Sequence, residues 1–123
     1  AATFRLAEGD MEEIMKARRE CLIKHNTLEP VNLAHAGGIF KDPPGQKAAE
    51  LIEKAGLKGR RHGGAKISET NANFIIADVK AKASDVLALI ETIQRKVIKE
   101  FHILLELKVK LIGFDRQRLQ KVA

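Results

Sequence analysis

The sequence predicts an α+β fold: a small mixed β-sheet packed with about three helices in a single domain. Three observations predict it. Apolar residues recur at helical spacing in three separate stretches, around 11–22, 48–55 and 86–97. Short β-like runs stand between and around them, at 3–6, 66–68, 73–76 and 102–112. The two kinds mix without a regular strand–helix–strand rhythm and without an internal repeat, which favours α+β over a parallel α/β sheet. A length of 123 residues is close to the commonest domain size. Aromatic residues are 4%, with no Trp or Tyr. The core therefore has to come from Leu, Ile, Val and Ala, with five Phe as the large pieces.

Taken in order, Thr3-Phe4-Arg5-Leu6 alternates and reads as a short strand. Asp10 is placed to cap a helix, with Glu13 three residues on. Met11, Ile14, Met15, Cys21 and Leu22 make its core face, and the helix is expected to fade at His25-Asn26. Thr27 to Ala34 is a connection containing Pro30. Ala36 to Gly45 then joins a glycine pair to Pro43-Pro44-Gly45. Gly admits positive φ and Pro removes a donor, so this is a shaped loop rather than a helix or a central strand. Loops of this kind either bind a ligand or serve as tight connections.

Ala48, Leu51, Ile52 and Ala55 follow the i, i+3, i+4, i+7 pattern, with Gly56 placed to end the helix. Leu57 to Gly64 is a basic, Gly-rich turn. Lys66-Ile67-Ser68 and Asn73-Phe74-Ile75-Ile76 are two strands joined through Glu69-Thr70-Asn71. Ser84 is the expected cap of the longest helix, about 85–100, with Val86, Leu89, Ile90, Ile93 and Val97 inward. Residues 102–112 alternate most clearly, placing Leu105, Leu107, Val109 and Leu111 on one side and Glu106, Lys108 and Lys110 on the other. The domain is expected over 1–113, with 114–123 as a polar tail.

Charge and special residues bound the function. The net charge is +6, but 16 acidic residues are interleaved with 22 basic ones. That balance fits a solvated surface or a site for a diphosphate group. Nucleic acid is disfavoured, since there is no aromatic stacking platform and no recognition motif. Cys21 stands alone and reads as a small core residue, so no internal disulfide can form. His25, His35, His62 and His102 lack partners at ligand spacing, so no metal site is expected. Gly63-Gly64-Ala65 is too short to be a dinucleotide fingerprint. No apolar run approaches a membrane span and no signal peptide is evident, so a cytoplasmic location is expected. Ala1 in place of Met fits a fragment or a processed product.

The stretch Ala36-Gly37-Gly38-Ile39-Phe40-Lys41-Asp42-Pro43-Pro44-Gly45, followed by Leu51-Ile52-Glu53-Lys54-Ala55-Gly56-Leu57-Lys58-Gly59, carries a resemblance. It is similar to the signature of the C-terminal domain of the UDP-N-acetylenolpyruvoylglucosamine reductase family, also called UDP-N-acetylmuramate dehydrogenase. That family pattern reads Ala-Gly-Ser-x-Phe-Lys-Asn-Pro-Pro-Gly, then a helix, then Leu-Ile-Glu-Lys-Ala-Gly-Leu-Lys-Gly. The similarity continues through Gly63-Gly64-Ala65, Ser68-Glu69, Ala72-Asn73-Phe74-Ile75 and Asp85-Val86-Leu87-Ala88-Leu89-Ile90, and ends near Ile112-Gly113.

The resemblance implies an α+β substrate-binding domain of a flavoenzyme that makes the muramic acid precursor of peptidoglycan. It implies that FAD and NADPH are handled through domains preceding this one, so no flavin site is expected here. It also implies that the working positions are altered. The family's proton-donating serine corresponds to Gly38, which has no side chain to donate from. The family's glutamate in Leu-Glu-Pro-Glu-Val-Arg corresponds to Lys108, and its proline to Leu107. Its nucleotide-binding asparagine corresponds to Asp42.

Either a relative that has lost reductase chemistry or an altered fragment accounts for these departures. Three readings follow. The first is a catalytically incompetent substrate-binding module that weakly captures a UDP-sugar or another anion through Lys41, the backbone around Gly37-Gly38 and Lys108. The second is a structural or interaction module that reuses the fold for a protein partner and exposes Lys58, Arg60, Arg61 and Lys66. The third is an excised piece of a working flavoenzyme.

Overall fold

The computed structural model describes residues 1–30 and 33–113. Its first element is helix α1, Met11–Leu28. Asp10 starts it: Oδ1 accepts the N–H groups of Glu12 and Glu13, both at 3.0 Å, satisfying two donors that have no partner inside the helix. The helix runs past the expected end at His25-Asn26, and Glu29 N donates to His25 O at 2.9 Å to close it. Every residue from Met11 to Thr27 is exposed. The expected core face of Met11, Ile14, Met15 and Leu22 therefore meets solvent, and Cys21 is an exposed thiol rather than a core residue. The stripe was correctly spaced for a helix, but nothing described lies against it. The expected strand at 3–6 is also absent, and Phe4 and Leu6 are exposed. Alternation without a neighbouring strand leaves the backbone unpaired, so no ladder forms there.

Four strands form one sheet in the order β1-β4-β3-β2: β1 Ala34–Gly38, β2 Arg61–His62, β3 Ala65–Ile67 and β4 Phe74–Ala77. All three pairings are antiparallel, which corrects the expected mixed sheet. The short β2–β3 and β3–β4 connections dictate two of these pairings, since parallel neighbours need a long crossover. The first half of the expected loop is strand β1, an edge strand paired to β4. An edge position tolerates its glycines: the register shifts between His35 and Gly38, where Gly37 takes φ +80°. Part of the basic turn is likewise the two-residue edge strand β2.

Helix α2, Ala48–Lys54, buries Ala48, Leu51 and Ile52 as its spacing predicts, and Gly56 follows at φ +68°. Helix α3, Ala83–Phe101, packs across β2, β3 and β4 and against α2. Its start differs from the expected Ser84 cap. The cap residue is Lys82, and Asp85 Oδ2 accepts Lys82 N at 3.0 Å and Gly64 N at 3.2 Å. One carboxylate thus closes the helix and ties it to the β2–β3 turn. His102, left-handed at φ 58°, ends α3. The core gathers Ile39, Phe40, Ile52, Leu57, Ile67, Ile75, Leu89, Ile90, Ile93, Val97 and Leu105.

Residues 102–112 were the clearest expected strand, and the structure assigns no strand there. The predicted one-sided burial is present: Leu105 is buried and Leu107, Val109 and Leu111 are half-buried, while Glu106, Lys108 and Lys110 are exposed. Pairing is confined to one antiparallel bridge, Phe40 to Leu107. Lys41 N donates to Glu106 O and Lys108 N donates to Ile39 O, each at 2.8 Å. The facing chain turns away at Pro43-Pro44, which have no N–H to continue a ladder. The expected tail 114–123 lies outside the described residues.

Candidate anion-binding groove

Sequence reasoning singled out Gly37, Gly38, Lys41, Asp42 and Lys108. The structure brings their backbones together through the bridge between Phe40 and Leu107, although they come from two segments far apart in sequence. Phe40 anchors the first segment because its ring is fully buried. Asn73 fixes the same residue from the strand side. Its Oδ1 accepts Phe40 N and its Nδ2 donates to Phe40 O, both at 2.9 Å. The peptide that carries Lys41 is therefore held at the core while the Lys41 side chain stays exposed.

Each predicted residue has a definite setting. Gly37 has open space where a Cβ would stand, but its N–H donates to His35 Nδ1 at 3.1 Å. That donor is therefore engaged within the strand. The His35 ring is itself held edge-on to Phe74, with centroids 5.1 Å apart. Gly38 has no positive φ, and a Cβ there would stand 3.3 Å from Asn73 Nδ2. Asp42 is not simply an outward charge: its Oδ1 accepts Ala48 N at 2.8 Å, satisfying the first donor of α2. An asparagine oxygen could accept the same bond. Lys108 is exposed, and its backbone lies beside Ile39.

Lys41 Nζ lies 2.7 Å from Glu106 Oε2, and both side chains are exposed, at 58% and 69%. Lys41, through hydrogen bond and charge, holds the Glu106 carboxyl below the usual carboxylate range. Together with Asp42, Pro43, Pro44, Ile103 and Leu104 they line a groove of about 250 Å³. A groove of this size suits one charged group better than a whole nucleotide, since drug-sized ligands occupy roughly 300–1,000 Å³.

Glu106, Asn73 and His35 were missed as site residues. Glu106 shares the outward face of 102–112 with Lys108, and that alternation was its only signal. The basic residues expected to face a partner, Lys58, Arg60, Arg61 and Lys66, are less free than their composition suggested. Lys58 pairs with Glu53 at 2.9 Å and Lys66 pairs with Glu69. Arg60 and Arg61 are exposed. Among the described residues no group of three or more His, Cys, Asp or Glu is placed to hold a metal ion. No described helix is long and apolar enough to cross a membrane.

Fold and groove together define a small α+β module that presents a lysine-bearing loop beside the segment after its last helix. The chain belongs to the family described as UDP-N-acetylenolpyruvoylglucosamine reductase, C-terminal domain, whose model matches residues 29–112. A UDP-N-acetylenolpyruvoylglucosamine reductase from Chloroherpeton thalassium is 48% identical over 115 residues, 89% of this chain and 37% of the relative. The Alkaliphilus oremlandii reductase is 42% identical over 108 residues, 88% of this chain and 36% of the relative. The crystal structure of the reductase (MurB) from Thermus caldophilus superposes with a TM-score of 0.71 at 40% identity, covering 86% of this chain and 37% of that one. The chain thus spans little more than a third of the length of these relatives.

Proposed function

We propose that this chain is a substrate-binding module of the peptidoglycan-reductase type that does not carry out the reduction itself, and that its groove weakly captures the diphosphate of a UDP-sugar. One observation carries this reading: Lys41 is presented at a groove sized for a single charged group. Gly38, at the end of strand β1, has no side chain from which to give a proton. Lys108 stands where the family resemblance calls for a carboxylate, so the charge there is inverted. Lys41 supplies a cation to the phosphates, and open backbone at the loop admits their close approach. Asp42 opposes binding through its charge while holding the start of α2.

In this reading the hydride chemistry of FAD and NADPH is supplied by other domains. This chain's residues do not fit a flavin diphosphate at their glycine pair: Gly64 N–H is used by Asp85, and a Cβ on Gly63 would fall 2.5 Å from the same carboxylate. A carboxylate standing where a phosphate would sit repels it. A cytoplasmic location goes with a nucleotide-sugar ligand. Nucleic acid has no place in this reading, because Lys58 of the turn and Lys66 of β3 are already paired.

Helix α1 favours a second reading, in which the module works inside a larger assembly. Its apolar residues from Met11 to Ile23 are exposed, and the family model begins at residue 29, just beyond it. A protein partner, such as a flavin-bearing domain, would cover that face. Even then Gly38 and Lys108 leave the proton step unsupplied by this chain.

Titration with millimolar UDP-N-acetylglucosamine, followed by the loop amides in NMR, tests the ligand. Lys41→Ala should weaken binding. Asp42→Asn keeps an acceptor for Ala48 N and removes a charge, so it should tighten binding by about two- to tenfold, less at high salt. If neither wild type nor Asp42→Asn responds, the ligand reading fails and the interaction-module reading replaces it.

A further inference from the structure

We propose that Glu106 is an internal gate on Lys41: its carboxylate occupies the ammonium group as a tethered anion and has to leave before a phosphate can bind. The inference rests on Lys41 being the anion-binding group of the groove. The pairing is built into the fold. Lys41 and Glu106 face each other across the Phe40–Leu107 bridge, with Lys41 N donating to Glu106 O at 2.8 Å. Asn73 fixes the neighbouring Phe40 peptide through two hydrogen bonds. The two side chains therefore leave from facing positions on tied backbones, which lowers the entropic cost of their 2.7 Å contact.

The contact is also releasable. Both groups are largely exposed, and exposed pairs of this kind are weak enough for a competing anion to displace. A ligand using Lys41 loses the factor by which the pair is populated, whatever else it contacts. After displacement the carboxylate still lines the groove and repels a diphosphate. Asp42, the other carboxylate in the groove, is engaged by Ala48 N and does not contact Lys41 among the ion pairs described.

Salt separates this gate from simple repulsion. Added salt weakens the attraction between Lys41 and the ligand, but it also weakens the pair that keeps Lys41 occupied. Affinity should therefore fall less steeply with salt in the gated protein than after the gate is removed.

The test compares wild type, Glu106→Gln and Glu53→Gln as intact chains, titrated with UDP-N-acetylglucosamine at several salt concentrations. Glu106→Gln should bind about three- to tenfold more tightly, with a steeper salt dependence. Glu106→Asp, which keeps the charge, should stay near wild type. Glu53→Gln removes the same charge from the Lys58 pair, away from the groove, and should leave affinity unchanged. Tightening by Glu106→Gln alone supports the gate, including the case in which wild type is silent and the variant binds. Equal, Lys41-dependent affinity in wild type and Glu106→Gln overturns the gate and leaves the proposed ligand standing. Equal gains from Glu106→Gln and Glu53→Gln assign the effect to net charge and also overturn it. No response in wild type or Glu106→Gln removes the ligand and the gate together.

Discussion

Helices α1 and α3 are almost the same length, 18 and 19 residues, and each carries an aspartate in its starting turn region. Their fates differ. From Met11 to Thr27 α1 buries nothing, whereas α3 buries Leu87, Leu89, Ile90, Ile93, Gln94 and Val97. The capping bonds differ in the same way. Asp10 binds only the next turn of its own helix, while Asp85 also holds Gly64, 21 residues earlier. Helical spacing of apolar residues is enough to shape a stripe. A stripe stabilises a fold only when a second surface lies against it, and of these two helices only α3 has one among the described residues.

Paired truncations would sharpen this contrast. Ile93 is fully buried on the inner face of α3, so Ile93→Ala should cost about 2–5 kcal/mol in urea unfolding. Ile14→Ala in α1 should stay within about 0.5 kcal/mol. Equal losses at the two sites would mean that α1 packs after all. The same logic applies beyond α3. Leu105 is buried and its carbonyl receives Gln94 Nε2 at 2.9 Å, so Leu105→Ala should cost about 2–4 kcal/mol. Leu104, exposed in the groove, should tolerate Ala with little change. Similar melting temperatures for these two variants would refute the inward register assigned to 103–111.

Acid separates the two aspartates more gently. Backbone N–H bonds, first from Lys82 and then from Gly64, hold Asp85 below the ordinary aspartate range. Its folded-state pKa is lower than its unfolded one. The stabilisation is therefore complete above about pH 4 and is lost as pH falls through the folded value. Asp85→Asn should make acid unfolding less steep in that window. Glu106 and Glu69, lowered by Lys41 and Lys66, contribute in the same direction, so the curve should flatten only in part. The smallest effect is expected for Asp10→Ala, which should reduce helical signal and speed amide exchange in α1 without shifting the unfolding of the core.

Much of the fold was legible because local rules and burial agree there. The α2 stripe with Gly56, the core face of α3 and strands β3 and β4 all follow from spacing. Strand β1 was not legible. Ala34-His35-Ala36-Gly37-Gly38 has no β-branched residue, and it is extended because β4 offers it an edge. The alternation of 103–111 was legible but its pairing was not, since the opposing chain breaks off at two prolines. In the groove, Lys41 and Asp42 could be picked out from the resemblance. Their partners could not: Asn73 is 33 positions from Phe40, and Glu106 is 65 from Lys41. Asp42 was read as a charge facing the ligand, and the structure adds its bond to α2.

The sequence by itself determined the α+β class, the family and the helical spacing of α1, α2 and α3. Those follow from residue identity and from periodicities of a few positions. Only the tertiary structure decided that α1 has no described partner, that the glycine pair lies on a sheet edge, and that Glu106 reaches Lys41. Each of these depends on which surfaces meet. That is settled by loop closure and burial over tens of residues, where local spacing carries no information.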